Sequence, residues 1–466
     1  MKRLFSTITV VIVLDLALGA QEIKTLTVKT LTDSFTYSEV DSRRKFGFRD
    51  TIAFGTSYYL NVFGVSTEID SVKVGYDVKQ RPNKQVTCIK VKSPEKEQVL
   101  YVNFNECNCW FTDDYIKTVT GQANYSIPET YELANVLYTL TNSSQLNTNR
   151  TYKGTNYYNE VMTYFRKFKD HPLLKELEFS DDAKGVEAYY NFRDNSICFS
   201  VYKGRIIAND QYYAVWGRVK DNLFARHLSL INDFYKKSHF HSFYTRRQKF
   251  YDSLVARQQT YMPARKMQTW LESEFDRKFN SYRIVFSPLI WGSHGTQSFY
   301  WVSAPRQWFS QMIMFVSGDR GVANDPLLNE NQKEGIASGI LFTEIDHNYC
   351  NPVSFKYSKE IDTAFSQREK WVTKGGDSDN YPSAMNIFNE YITHAVYILY
   401  ANDNFTKNDF DVIRKTREEL MIKQRRYIKF REFTDALLHL YLTRKAGHTI
   451  MDLYPGIIRW CATNSL

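Results

Sequence analysis

The order in which hydrophobic periodicity changes along the chain does most to limit its fold. Tyr282–Ser287, Phe299–Val302 and Met312–Val316 are short runs rich in β-branched and aromatic residues, which predicts three successive strands. A helical pattern follows at once. It is expected from about Asn331 to Tyr349 and to close at Asn351-Pro352, because helical backbone is disfavoured before proline. Ile336, Ile340, Thr343 and His347 share one face of that helix, which aims His347 inward, toward the core or a cleft. Glu344 stands near His347 in E-x-x-H spacing, a carboxylate and an imidazole one turn apart. The spacing alone is a weak signal, since a buried polar pair on a core helix produces the same letters.

The rest of the chain gives these elements a setting. From Gln21 to about Trp110 apolar and polar residues alternate, as in Ser71–Tyr76 and Gln98–Phe104, and a small β-rich region is expected. Ile127–Tyr138 reads as a short helix with Pro128 in its first turn, and the Asn, Thr and Ser of Thr139–Asn156 as a loop. Helices then dominate. Tyr158, Val161, Phe165 and Phe168 form one stripe, ended by His171-Pro172; Phe224, Leu228, Ile231 and Tyr235 form another on a long helix. Met267–Phe279, Ser383–Tyr400, Phe433–Arg444 and Thr449–Trp460 complete a helical C-terminal part. On Ser383–Tyr400 the expected buried stripe is Ala384, Phe388, Tyr391, Ala395 and Leu399. The fold class is therefore α+β, with 1–20 a leader, 21–125 the β-rich region and 126–466 the main domain.

Lys2-Arg3, the apolar run Leu4–Leu18 and small residues through Ala20 predict a secretory signal cleaved before Gln21. No later stretch is long and uncharged enough to span a bilayer, so a periplasmic or extracellular mature chain is expected. The 60 basic and 51 acidic residues give a mild excess of +9, with the signs interspersed. Lys423–Arg431 is the densest basic run and is expected to be a solvated helix face, which with export argues against nucleic acid as partner. Six cysteines are irregularly spaced without a C-x-x-C pair, so no structural zinc knuckle is expected. Cys107 and Cys109 would share a strand face, and one could pair with Cys88; buried free thiols are the alternative.

In zinc peptidases the sequence H-E-x-x-H places two metal-binding histidines around a glutamate that activates water. Here Thr343 stands where the first histidine would be. Glu390 lies on the next long helix and shares a face with His394 one turn later; an exposed Glu on an amphipathic helix is its other reading. His294, in the turn Gly292-Ser293-His294-Gly295, is the first candidate to replace the missing imidazole, and His394 the second. His239 and His241 would diverge on a helix and are expected at the surface.

Tyr131-Glu132-Leu133-Ala134-Asn135-Val136, Asp233-Phe234-Tyr235 with Phe240 and Phe243-Tyr244, Phe286-Ser287-Pro288-Leu289, Glu344 with His347-Asn348-Tyr349 and Asn351-Pro352, and Asn389-Glu390-Tyr391 together resemble the DUF4932 family. These are exported bacterial proteins, many similar to gluzincin metallopeptidases. The resemblance covers roughly 125–460 and leaves out the N-terminal region. It implies a zincin-like domain with Glu344 as general base, and His347 and Glu390 as zinc ligands. Thr343 departs from the family's form.

Two functions follow as expectations. One is zinc-dependent hydrolysis of a peptide or protein at an altered metal site. The other is a catalytically inactive zincin-like protein that binds a peptide or glycan in its cleft, using aromatics such as Trp291, Tyr300 and Trp301. A carboxylate-bridged dimetal centre would need a second E-x-x-H, and Glu390 to His394 is one residue too long. There is no G-x-S-x-G elbow for a serine hydrolase and no glycine-rich phosphate loop.

Overall fold

A computed structural model of the chain describes 111–146, 150–177, 179–180, 182–209, 211–212, 214–216, 222–303 and 307–464. Of 1–110 it describes Cys109 and the backbone of short strand segments between 7 and 106. The leader expected at 1–20 and the side chains of Cys88 and Cys107 lie outside the described residues, as does most of the β-rich region expected at 21–125. Cys350 and Cys461 are buried free thiols, and Cys109 and Cys198 are buried as well. Among the described residues no helix is long and apolar enough to cross a membrane.

The chain is α+β, mostly helical with a small mixed sheet, and divides into two compact units. One unit comprises 1–120, 182–233 and 299–311; the other comprises 121–181, 234–298 and 312–466. The two units are interleaved along the chain. The first unit is held by aromatic packing of Phe111 on Tyr212 and Phe309. It also contains a buried ion pair, Arg193 with Asp194 at 2.6 Å, whose carboxylate accepts a hydrogen bond from the Trp216 indole.

The second unit carries the candidate site. Strand β1 (Ala123–Ser126) leads into helix α1 (Glu129–Leu140), which Pro128 opens with its missing N–H at no cost. Helix α2 (Asn156–Phe165) is capped by Thr155 and buries Tyr157, Val161 and Phe165. The stripe is thus one residue off the expected one: Tyr157, not Tyr158, faces in, because its hydroxyl finds Glu132. His171-Pro172 does not merely end a helix. The His171 ring caps a new short one, accepting from the Leu173 N–H at 3.2 Å. The long helix expected around Phe224–Tyr235 is broken at His227 into Leu223–Arg226 and Leu228–Lys237. His239 is exposed, and His241 pairs at the surface with Glu129 at 3.0 Å.

Helices α3 (Gln248–Tyr261) and α4 (Ala264–Glu274) precede β2 (Ser281–Ser287), β3 (Gly295–Ser303) and β4 (Gln307–Ser317), the three expected strands. The sheet order is β3-β4-β2-β1, and β2 runs parallel to β1, with Tyr282 opposite Ala123.

The E-x-x-H helix, α5, runs Glu330–Phe355. It starts in a capping box: Asn329 Oδ1 accepts from the Gln332 N–H at 2.9 Å, and Gln332 Oε1 accepts from the Asn329 N–H at 3.3 Å. It does not stop at Pro352 as expected. The proline leaves the Asn348 carbonyl without its helical donor, and Arg277 donates to that oxygen instead at 3.1 Å. The line of Ile336, Ile340, Thr343 and His347, expected to aim His347 toward the core or a cleft, is split: Thr343 is buried, whereas Ile336, Ile340 and His347, with Glu344, are partly exposed on a helix otherwise largely buried.

Helix α6 (Ala384–Asn404) has no exposed face between Ile387 and Ala401, so the expected amphipathic stripe is replaced by burial all round. Helix α7 (Lys407–Glu419) lies against α5 where α5 has Gly335 and Gly339. A Cβ at 335 would overlap Ile413, and one at 339 would overlap the Arg417 guanidinium. A π turn, Leu420–Gln424, follows, then α8 (Phe430–Leu442) and α9 (Ile450–Asn464).

Glu132 on α1 gives a pH test of this packing. Its carboxyl is fully buried and accepts from the Tyr157 hydroxyl at 2.6 Å, which in turn meets Tyr251 at 2.7 Å; Tyr244 and Ser287 also act on this group. Burial raises its pKa from 4.5 to about 7, against the opposing hydrogen bonds of Ser287 and Tyr157. Below the unfolded value the acid is neutral in both states. As pH rises from about 4.5 to about 7 only the unfolded carboxyl ionises freely, so stability falls across that window. Urea denaturation of wild type and Glu132→Gln at several pH values should show a decline the variant lacks. Parallel profiles would refute the assignment.

Candidate functional site

Glu390 is the centre of the site. It projects from α6 and is buried, with 6 % of its side chain exposed. His347, from α5, brings Nε2 to 3.5 Å from Glu390 Oε1. The other ring nitrogen, Nδ1, lies 3.3 Å from Asn351 Oδ1, so Nε2 is the atom turned toward Glu390. His394, one turn along α6, brings Nε2 to 3.6 Å from Glu390 Oε2. Arg425 donates directly to that same oxygen.

Arg417 settles the His394 tautomer. A guanidinium can only donate, and its Nη1 lies 3.2 Å from His394 Nδ1. Nδ1 is therefore the acceptor and the ring proton sits on Nε2, facing Glu390. Burial drives the His394 pKa down to about 3, with Arg425 and Arg417 adding to the effect and Glu390 opposing it, so the ring is neutral. For Glu390 burial works toward a raised pKa, but Arg425 and the two histidines outweigh it and hold the carboxyl at about 2. The result is an ionised carboxylate held by one cation and two imidazoles.

The expected ligands divide. The structure brings His347 and Glu390 together from separate helices, with Glu344 half-buried one turn before His347. Thr343 is 5 % exposed, and its hydroxyl turns back onto its own helix, 3.2 Å from the carbonyls of Gly339 and Ile340. His294 is engaged elsewhere: its Nε2 lies 3.0 Å from Arg320 Nη2 and 3.2 Å from Ser317 Oγ. His394 offers Nδ1 to Arg417 and its Nε2 proton to Glu390. Among the described residues no group of three His, Cys, Asp or Glu side chains is placed to hold a metal ion. A catalytic zinc takes three protein ligands; His347 faces Oε1 of Glu390 here, while Oε2 is faced by His394 and already held by Arg425.

Asp346, between Glu344 and His347, points into the core. Both its carboxyl oxygens are buried without a hydrogen-bond partner among the described residues. Burial, reinforced by Glu344 and Glu390 and opposed by Arg417, pushes its pKa well above the carboxylate range.

Three arginines in this region were not singled out by sequence. Arg425 belongs to the basic run expected to be a solvated helix face; instead it is 17 % exposed and sits on Glu390. A π turn ends just before it, and Arg426 just after it is left-handed at φ 68°. Arg417 lies across Gly339 and over the Tyr397 ring. Arg320, left-handed at φ 52°, donates to the Trp291 carbonyl and to Ser317, and stacks over the Trp291 ring at 4.5 Å. Trp291 also stacks on Tyr152 at 4.7 Å, so this expected ligand-binding ring already has two partners. The side chains of Tyr300 and Trp301 lie outside the described residues. No short-range pattern marks the arginines, because the partners of each come from distant parts of the chain.

Comparison with family models, curated proteins and solved structures finds no match to this chain.

Proposed function

We propose that the second unit is a zincin-like scaffold of the DUF4932 kind whose metal position has been taken over by Arg425. On this reading the protein is exported and binds a peptide or glycan beside His347 rather than hydrolysing it. One observation carries the reading: the Arg425 guanidinium already engages one oxygen of Glu390, the carboxylate that would be a metal ligand. A cation already balances the carboxylate, and Thr343 offers no imidazole in compensation.

Zinc-dependent peptide hydrolysis is the second reading. It is favoured by the meeting of His347 with Glu390, 3.5 Å apart, and by Glu344 one turn away. His347 and Glu390 would then hold zinc, a Lewis acid that polarises a carbonyl or activates water. Calorimetric zinc titration separates the readings. Wild type and Thr343→His should bind weakly, while Thr343→His with Arg425→Met should bind at least about tenfold more tightly, a gain of about 1.4 kcal/mol. Tight binding by wild type, lost in His347→Ala, would replace the binding-protein reading with the peptidase one.

A further inference from the structure

We propose that the second unit carries a docking face for an anionic membrane surface, built from the basic and aromatic residues of 160–170 and 234–251.

The first support is charge. These two segments hold eight lysines and arginines and, as acids, only Glu160 and Asp170. They supply most of the chain's excess of +9. Arg247 pairs with Glu160 at 2.8 Å. Exposed Arg166, Lys167, Lys169, Lys236, Arg246 and Lys249 pair with no carboxylate among the described residues.

The second support is that the segments pack together. The Phe165 ring meets Phe234, Phe240 and Phe243 at 6.2, 5.7 and 4.7 Å, and Phe168 meets Phe234 at 5.9 Å. This aromatic seam brings cations from both segments to one place. Lys167 Nζ lies 5.6 Å from the Tyr164 ring, and Arg246 Cζ lies 5.9 Å from the same ring. Arg247 stands 3.6 Å over Phe243, which is itself 4.9 Å from Tyr164. Like charges gathered with few acids among them raise the local potential and favour an anionic partner.

The third support is the apolar surface set among these cations. Phe250 is 38 % exposed beside Lys249 and stacks at 5.4 Å on Tyr157, which borders the seam at Phe243. Tyr164 and Phe168 are half-buried. A ring among cations suits the boundary of a bilayer: the ring enters the acyl edge while the charged groups stay with the phosphates. Four of the six unpaired cations are lysines, whose charge rides on a flexible stem and suits a fluid array of headgroups. Nucleic-acid bases would need free ring faces to stack on, but Arg247 covers Phe243 and Tyr157 covers one face of Phe250.

The test is co-sedimentation of the full chain with vesicles of phosphatidylglycerol and phosphatidylcholine, against pure phosphatidylcholine. The apolar run Leu4–Leu18 would enter both kinds alike, so the preference for anionic vesicles is the readout. That preference should be clear at about 0.05 M salt and fade at about 0.5 M. Lys167→Gln with Arg246→Gln should weaken anionic binding at least about tenfold, and Lys169→Gln with Lys249→Gln gives a second pair. Phe250→Ser, which keeps every charge, should weaken it severalfold. Lys415→Gln with Arg459→Gln removes the same charge from exposed positions elsewhere and should change nothing. Equal binding to both kinds of vesicle, or an equal loss in that last pair, overturns the proposal. So does duplex DNA bound as tightly as anionic vesicles with Phe250→Ser without effect, which would make this a nucleic-acid surface.

Discussion

Replacing Glu390 by alanine should cost about 3 kcal/mol of folding stability, measured by urea denaturation. The loss comes less from the missing attraction than from what stays behind. Arg425 would remain mostly buried with its carboxylate gone, and the His394 Nε2 proton would face an empty space. A buried charge stripped of its partner is the expensive case. The double variant Glu390→Ala with Arg425→Met should therefore recover part of the loss, giving a coupling energy of about 1 kcal/mol or more. Two single variants whose costs simply add would show that Arg425 and Glu390 do not act as a pair, and the proposed substitution of arginine for metal would fall with them.

Gly339→Val is the second large effect. In an exposed helix, replacing glycine by alanine gains about 1 kcal/mol, so propensity favours a side chain here. Packing reverses the sign. A Cβ at 339 would overlap the Arg417 guanidinium and come within 3.1 Å of the Tyr397 ring. Arg417 is buried and cannot swing away without leaving His394. Gly339→Ala should lower stability by about 1 kcal/mol and Gly339→Val by about 3 kcal/mol. Nitrogen NMR of His394 supplies a second reading, since losing Arg417 at Nδ1 removes the cause of its tautomer. A valine variant as stable as wild type, with the His394 signals unmoved, would mean that α7 is not pressed onto α5 at this point.

Much of this was legible in the letters. Three runs of β-branched and aromatic residues mark the strands before α5, because the preference of these residue types for extended backbone is local. Glu344 and His347 were found because helical spacing puts them one turn apart. Glu390 was located by its position on the next long helix, and the structure seats it against His347. Other readings failed for identifiable reasons. The line of Ile336, Ile340, Thr343 and His347 does not share one burial: Thr343 is covered, while the other three are partly exposed because no neighbour closes that side of α5. Pro352 reads as a stop, but Arg277, remote in sequence, takes up the carbonyl it orphans. The spacing on α6 predicts one buried stripe, but neighbours from several directions bury every residue from Ile387 to Ala401.

The sequence by itself determined what depends on nearest neighbours along the chain: the order of the main strands and helices, and which carboxylates and imidazoles could share a helical face. Tertiary structure alone decided what those groups do. Thr343 keeps its hydroxyl on its own helix, His294 turns to Arg320, and a basic run with every mark of a solvated surface delivers Arg425 to a buried carboxylate. The reason is physical. A helix's local pattern follows its own 3.6-residue period, whereas the charge a buried carboxylate meets depends on which distant segment the fold brings over it.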